Sequence, residues 1–220
     1  MKDVYKTVLC SSSSLVKVKG SKFIGTIWPV RSEDEIRNHL EESRKSHFSA
    51  RHHCYAWRLG VDVEHYRAND DGEPGGTAGK PILGQLLSNE LTGVLVIVVR
   101  YFGGTLLGTS GLIQAYREAA AQAISGTGFV ERTVEDLVTI EFTYARMSQV
   151  MNAIKGLNLE MTRQDFSEHP SVEVAIRQSA TTQTIPQLQA RILEIHEAEV
   201  TQEICIKEGL RVHIAGVQGI

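Results

Sequence analysis

The chain has 220 residues, of which 42% are hydrophobic and 22% charged, so it is long enough and apolar enough to fold around a core. Its formal net charge of -3 excludes a histone-like excess of positive charge, and its longest apolar run, 94–99, is too short to cross a bilayer. Three cysteines without a C-x-x-C pair favour a cytoplasmic protein with reduced thiols and no bound metal.

The first part of the chain carries the patterns of a sheet with helices. Ser32 and Glu35 form a capping box, which predicts a helix that runs to about His47. The run 94–99 lacks polar alternation and is typical of a buried central strand. The other elements predicted here are strands at 15–18 and 23–27 joined at Gly20-Ser21, a strand at 54–59 paired with 65–68, a helix over 81–91 and a long helix from about Ser110.

The second part predicts a smaller sheet. Apolar and polar residues alternate over 138–144, as in a half-exposed strand, and an apolar stripe over 147–154 predicts a helix that stops at Gly156. The other elements predicted here are strands at 160–166, 172–177 and 200–206, a helix from Pro186 and an additional edge strand at 210–214. The order βαββαβ is that of the ferredoxin-like split βαβ arrangement.

Charge divides the chain near residue 133. Residues 1–133 hold sixteen basic and fourteen acidic groups, whereas 134–220 hold seven and twelve, which gives net charges of +2 and -5. This asymmetry predicts two domains, 1–133 and 134–220, with different roles. Together with the predicted helices and strands, the fold class is α+β.

The exit of the predicted strand 94–99 is the first candidate site. A helix N-terminus beyond a strand end offers free N–H groups and about half a positive charge, which favours an anion, and arginine adds a fork for phosphate. The alternative is that the glycines allow close packing and that Arg100 pairs with a nearby acid. The candidate residues at this exit are Arg100, Tyr101, Gly103, Gly104, Ser110 and Arg117.

The turn-rich run 69–79 is the second candidate. Asp70, Asp71 and Glu73 could bind a hard cation through oxygen, although an EF-hand spacing is absent and an ordinary surface loop is the alternative. Lys80 follows Gly79 as in a phosphate-binding loop, but the glycine and hydroxyl positions of that motif are occupied by prolines.

The segment 51–54 is the third candidate. Arg51, His53 and Tyr55 alternate to one side of the predicted strand, away from Cys54, so a thiol–histidine pair is disfavoured. A strand face of this composition suits phosphate binding and base stacking, and an ordinary solvent face is the alternative.

Several of these segments together resemble the signature of the IMPACT family and of its bacterial, YigZ-type members. The matching stretches are D-D-G-E-P at 70–74, G-T-A-G-K-P at 76–81, V-V-R-Y-F-G-G at 98–104, L-G at 107–108, G-L at 111–112 and H-H-C with A-W at 52–57. The resemblance implies a ribosomal protein S5 domain 2-like fold for 1–133, similar to domain IV of elongation factor G. For 134–220 it implies a ferredoxin-like domain similar to domain V of that factor.

The family is thought to regulate translation, and its bacterial members are suspected of binding nucleic acid or the ribosome. The resemblance supplies no catalytic residues. The leading hypothesis is therefore a cytosolic protein without catalytic activity or cofactor that binds RNA or the ribosome. Its predicted contacts are Arg51, His53, Lys80, Arg100, Tyr101, Gly103, Gly104, Ser110 and Arg117.

Two other functions stay open. One is an enzyme that acts on a phosphorylated small molecule, with the loops 70–81 and 100–111 as its site. The other is a protein-interaction module that works through the C-terminal domain and is recognisable by an exposed apolar patch.

Overall fold

The computed structural model describes residues 3–61 and 65–218. The chain forms two compact units: the first comprises residues 4–132, and the second comprises residue 3 together with the chain from residue 133 onwards. Both units mix helices with strands, and the strands form three sheets. Among the described residues, no helix combines the length and apolar composition that crossing a membrane requires.

The first unit contains a five-stranded and a two-stranded sheet. Its elements are β1 (Val4–Val8), β2 (Ser12–Val18), β3 (Ser21–Pro29), α1 (Glu33–Ser46), β4 (His52–Arg58), β5 (Tyr66–Asn69), α2 (Gly79–Ser88), β6 (Val94–Tyr101), α3 (Gly108–Ser125) and β7 (Phe129–Thr133). The strand order of the larger sheet is β2-β3-β6-β4-β5, and β1 pairs with β7. The sequence patterns did not predict β1 or β7.

Helices cover both sides of the five-stranded sheet. Phe23, Cys54 and Val98 pack with α2 and α3 on one side, whereas Tyr55 and Ile97 pack with α1 on the other. The predicted buried central strand is confirmed, because β6 lies in the middle of the sheet and is buried from its first residue to Arg100.

Local signals fix two junctions of this unit. The Ser32 hydroxyl accepts a hydrogen bond from the Glu35 N–H, which confirms the predicted helix start. Lys19 and Gly20 both have positive φ, 45° and 81°, and make a two-residue hairpin turn between β2 and β3. The predicted junction at Gly20-Ser21 is one residue too late.

The second unit is one antiparallel sheet with helices. Its elements are β8 (Glu135–Glu141), α4 (Met147–Gly156), β9 (Glu160–Asp165), β10 (Ser171–Arg177), α5 (Thr181–Leu193), α6 (Gln202–Lys207) and β11 (Arg211–Gln218). The strand order is β11-β8-β10-β9, with antiparallel neighbours throughout.

One prediction in this unit is wrong. The predicted strand at 200–206 is helical from Gln202 onwards, where α6 begins after the Thr201 hydroxyl accepts a hydrogen bond from the Ile204 N–H. The fourth strand of the sheet is β11, which the sequence indicated only as an additional edge.

Candidate functional site

Asp70 holds together the loop that precedes α2. One oxygen of its carboxylate accepts hydrogen bonds from the N–H groups of Ala78 and Gly79 at 2.9 and 2.8 Å, and the other accepts from the Gly76 N–H at 2.8 Å. Partial burial alone would raise the pKa of Asp70, but these hydrogen bonds outweigh it and the pKa is lowered. The chain's own carboxylate therefore occupies the anion position at the start of α2.

Asp71 is also engaged within the unit. Its carboxylate accepts from the Arg44 guanidinium at 2.9 Å and from the His53 N–H at 2.7 Å. Burial opposes ionisation here too, but these two bonds lower the pKa of Asp71 below its ordinary value. With Asp70 and Asp71 bound to groups of the chain, the loop does not present the free oxygen ligands that a cation site requires.

Glu73 and Arg100 form a buried ion pair, which contradicts the expected exposure of Arg100. Arg100 is 7% exposed, and its Nη1 donates to Glu73 Oε1 at 2.6 Å. The same oxygen accepts from the Tyr116 hydroxyl at 2.8 Å. Residue 100 points towards α2 and α3 because it pairs with Phe23, whose side chain lies in that core. Arg100 is therefore a structural cation and not an accessible anion receptor.

Cys54 completes this buried polar cluster of Cys54, Glu73, Arg100 and Tyr116. Its sulfur lies 3.0 Å from the Asp70 carbonyl and 3.3 Å from the Tyr116 hydroxyl. Burial raises the pKa of the Cys54 thiol to about 12, so the thiol stays protonated at neutral pH and is a poor nucleophile. Across 3–61 and 65–218, no three His, Cys, Asp or Glu side chains are close enough to hold a metal ion.

The predicted strand face at His53 is closed. β4 alternates as expected, with Tyr55 on the α1 side and Cys54 on the other, but α1 covers the first side and leaves His53 4% exposed. Burial lowers the pKa of His53 and favours the neutral ring. The His53 ring is therefore not on an open strand face, contrary to the exposure expected for base stacking.

Gly103 packs against the hairpin turn. A Cβ at this residue would lie 1.9 Å from the Gly20 carbonyl carbon, so only glycine fits, and the Gly103 N–H donates to the Ser21 hydroxyl at 3.1 Å. Gly103 consequently has no free N–H for an anion, contrary to the expectation for this residue. Gly104 and Ser110 are exposed, and α3 begins at Gly108, two residues before the predicted start.

The remaining predicted residues separate into two places. Lys80 and Arg117 line a cleft of about 540 Å³ between α2 and α3, together with Gly76, Gly84 and Ile113. Tyr101 lies towards α1, where its hydroxyl is 2.9 Å from His47 Nδ1, and Arg51 is exposed immediately before β4. The predicted contacts are thus not one constellation.

The structure shows a cationic row that the sequence patterns missed. Lys17 of β2 pairs directly with Lys22 of β3, which in turn pairs with Tyr101 of β6. Both lysines are exposed, and among the described residues neither has a carboxylate within 4 Å. Directly opposed like charges destabilise a strand pair. A turn placed at Lys19-Gly20 instead of Gly20-Ser21 would have predicted this pairing.

Comparison with known proteins gives a consistent result. The family model of the Impact N-terminal domain matches residues 19–124. The IMPACT family member YvyE of Bacillus subtilis is 30% identical over 200 residues, which cover 90% of this chain and 92% of YvyE. The IMPACT family member YigZ of Escherichia coli is 32% identical over 162 residues, or 73% of this chain and 79% of YigZ.

A solved structure extends the similarity to the whole chain. The crystal structure of a hypothetical protein covers 97% of this chain and 98% of its own, with a TM-score of 0.71 and 25% sequence identity. The similarity therefore includes both compact units.

Proposed function

Because the chain belongs to the IMPACT family, we propose that it acts in translation by binding ribosomal RNA through the cationic row of Lys17, Lys22 and Tyr101. The observation that carries the proposal is the direct pairing of two exposed lysines, with no carboxylate within 4 Å of either in the part of the chain that the structure describes. The repulsion between two opposed lysines lowers the stability of the free protein. Phosphates that lie across the pair neutralise both charges and remove this repulsion.

The surroundings of the row favour an RNA ligand. At the tip of the β2–β3 hairpin, Gly20 packs against the backbone at Gly103, and the neighbouring Lys19 is exposed. Tyr101, the aromatic member of the row, is partly exposed. Trp28, which stacks on His39 at 5.0 Å between ring centroids, is on the same side of the sheet but six residues further along β3 and is not part of the row. Lysines that hold phosphates beside a partly exposed aromatic ring, here Tyr101, are typical of surfaces that bind single-stranded RNA.

The domain names implied by the resemblance are part of this proposal. Residues 1–133 are assigned to the ribosomal protein S5 domain 2-like fold, and 134–220 to the ferredoxin-like fold. The antiparallel order β11-β8-β10-β9 supports the second assignment, since it places the strand after α5 and α6 beside the first strand of that unit. The net charge of -5 on 134–220 favours RNA contact through the first unit alone.

The enzyme alternative is less well supported. Asp70, Asp71 and Glu73 were its candidate acid groups, and all three accept hydrogen bonds from groups of the chain itself. The cleft of Lys80 and Arg117 is suitable for a phosphate. Apart from these two cations, its lining residues carry no titratable side chain that could act as a general acid or base.

Salt-dependent RNA binding by the full chain tests the proposal. With a labelled transcript of small-subunit ribosomal RNA, the paired change Lys17→Ala and Lys22→Ala should weaken binding at least tenfold. It should also reduce the slope of log affinity against log salt by roughly 1.5 to 2, since two phosphate contacts are lost.

The matched control removes two exposed lysines of the second unit, Lys155→Ala and Lys207→Ala, and should leave the slope unchanged. A third pair, Lys80→Ala and Arg117→Ala, removes the cations of the cleft. Equal losses from all three pairs, or a wild-type affinity that does not respond to salt, would contradict the proposal.

A further inference from the structure

The cleft between α2 and α3 is bounded by one stripe of residues from each helix. Lys80 and Gly84 are one turn apart on α2, and Ile113 and Arg117 are one turn apart on α3. A Cβ at Gly84 would meet no atom within 4 Å, so the cleft is open at this position. A ligand can therefore approach the backbone of α2 next to Lys80.

The two cations of the cleft have no neutralising partner. All the other lining residues are uncharged. Throughout 3–61 and 65–218, no carboxylate oxygen lies within 4 Å of the charged nitrogens of Lys80 or Arg117. The positions three and four residues away from each cation also hold no acid. The cleft is therefore suited to an anion with more than one negative charge.

Asp70 offsets only part of this charge. Lys80 lies in the first turn of α2, where the positive end of the helix dipole disfavours a cation. Burial raises the pKa of Asp70, while the three N–H groups bound to its carboxylate and the charge of Lys80 lower it. These N–H groups keep the carboxylate at the start of the helix, and Asp70 does not line the cleft. An anion in the cleft would stabilise Lys80 further.

The lining favours a small ligand over RNA. Among the described residues that line the cleft, none is aromatic, so a nucleobase has no ring on which to stack. A phosphate monoester carries nearly two negative charges at neutral pH, whereas each RNA phosphate carries one. Pro81 and Ile113 offer aliphatic surface, Gln85 offers an amide, and about 540 Å³ is enough for a small metabolite.

We infer that this cleft binds a small aliphatic phosphate monoester, such as a sugar phosphate, with its phosphate group between Lys80 and Arg117. The planar guanidinium of Arg117 binds two phosphate oxygens, and Lys80 supplies a compact second charge. The body of the ligand lies along Gly84. The site shares no residue with the cationic row of Lys17, Lys22 and Tyr101, so the two proposals fail independently.

Three matched ligands test the inference with the full chain by isothermal titration calorimetry at neutral pH and low salt. Glucose 6-phosphate, glucose 6-sulfate and glucose share one sugar body and carry nearly two, one and no negative charges. Glucose 6-phosphate should bind about tenfold more tightly than glucose 6-sulfate, and glucose should give no measurable heat. Equal binding of the sulfate, or no binding of glucose 6-phosphate, overturns the inference.

Two variants locate the site. Gly84→Leu fills the cleft but keeps both cations, and leucine favours a helix more than glycine does. This change and Arg117→Gln should each weaken glucose 6-phosphate binding about tenfold. The matched change Arg191→Gln, at an exposed arginine of α5, should alter it by less than about twofold, because a distant surface charge is screened. Unchanged binding by Gly84→Leu, or equal losses from the two arginine variants, would indicate unspecific charge attraction and refute the assignment.

Ribosomal RNA is the other source of phosphate groups. An excess of the small-subunit transcript should not displace glucose 6-phosphate, since the row and the cleft are separate sites. Displacement by the transcript that persists in the paired Lys17→Ala and Lys22→Ala variant would show that the cleft itself binds RNA, and the inference would be wrong.

Discussion

On the α2–α3 side of the five-stranded sheet, Arg100 is buried and donates to Glu73, whereas on the α1 side Lys17 and Lys22 are exposed and face each other. The same strand, β6, contributes Arg100 to the first side and Tyr101 to the second. Neighbouring residues of one strand thus have opposite roles, because one side is packed under two helices and the other is partly open. A cation is structural where the fold supplies its carboxylate and is available for binding where it does not.

The largest effect expected from this comparison is on the buried side. Glu73→Ala leaves the Arg100 guanidinium buried without its partner and should lower the free energy of unfolding by about 3 to 5 kcal/mol. Urea denaturation of the full chain measures this change. Glu41→Ala, an exposed glutamate on α1, is the control and should change stability by less than about 0.5 kcal/mol. A loss no greater than the control's would show that the ion pair does not stabilise the unit.

A smaller effect is expected at Asp70. Asp70→Ala removes the acceptor of three backbone N–H groups and should cost about 1 to 2 kcal/mol. Because the pKa of Asp70 is lowered in the folded chain, its stabilisation is complete above the ordinary value of 3.8 and is lost as the pH falls through the lower folded value.

The pH dependence separates the contribution of the Asp70 charge to stability from the contribution of its hydrogen-bonding shape. Urea midpoints at pH 5 and pH 3 should fall less for Asp70→Asn than for the wild-type chain, since asparagine has no proton to gain. An identical fall in both proteins would mean that the lowered pKa of Asp70 contributes nothing to acid stability.

The smallest effect has the opposite sign and lies on the open side. Lys17→Gln relieves the repulsion of Lys22 across the β2–β3 pair and should raise the free energy of unfolding by about 0.3 kcal/mol. Thermal unfolding at low salt measures the gain, which should vanish at high salt because the repulsion is screened. If the variant is instead less stable than the wild-type chain, Lys17 has a structural role and the contrast between the two sides is lost.

Much of the fold follows from local sequence signals. The uninterrupted apolar run at 94–99 indicated the central strand, Ser32 indicated the start of α1, and alternation along β4 indicated which residues share a side. These signals are readable because the periods of helices and strands are properties of consecutive residues. The segment 200–206 was misread because a helix of six residues is too short to establish its period.

The site followed from the sequence only in part. The patterns identified the loop 70–81 and the exit of the central strand as special, but not that their charged residues contact each other. Glu73 and Arg100 are 27 positions apart, and their pairing requires β6, the loop and α3 to be packed together. The pairing of Lys17 with Lys22 depended on the register of the β2–β3 hairpin. An error of one residue in the turn changes every pair of residues along the two strands.

The sequence by itself therefore determined the family, the mixed helix and strand content, the buried strand and the uneven charge of the two parts. Only the tertiary structure decided which charges are neutralised inside the fold and which remain on the surface. The physical reason is range: propensity and periodicity act between neighbours in the chain, whereas the free energy of a charge depends on the burial and partners that distant segments provide.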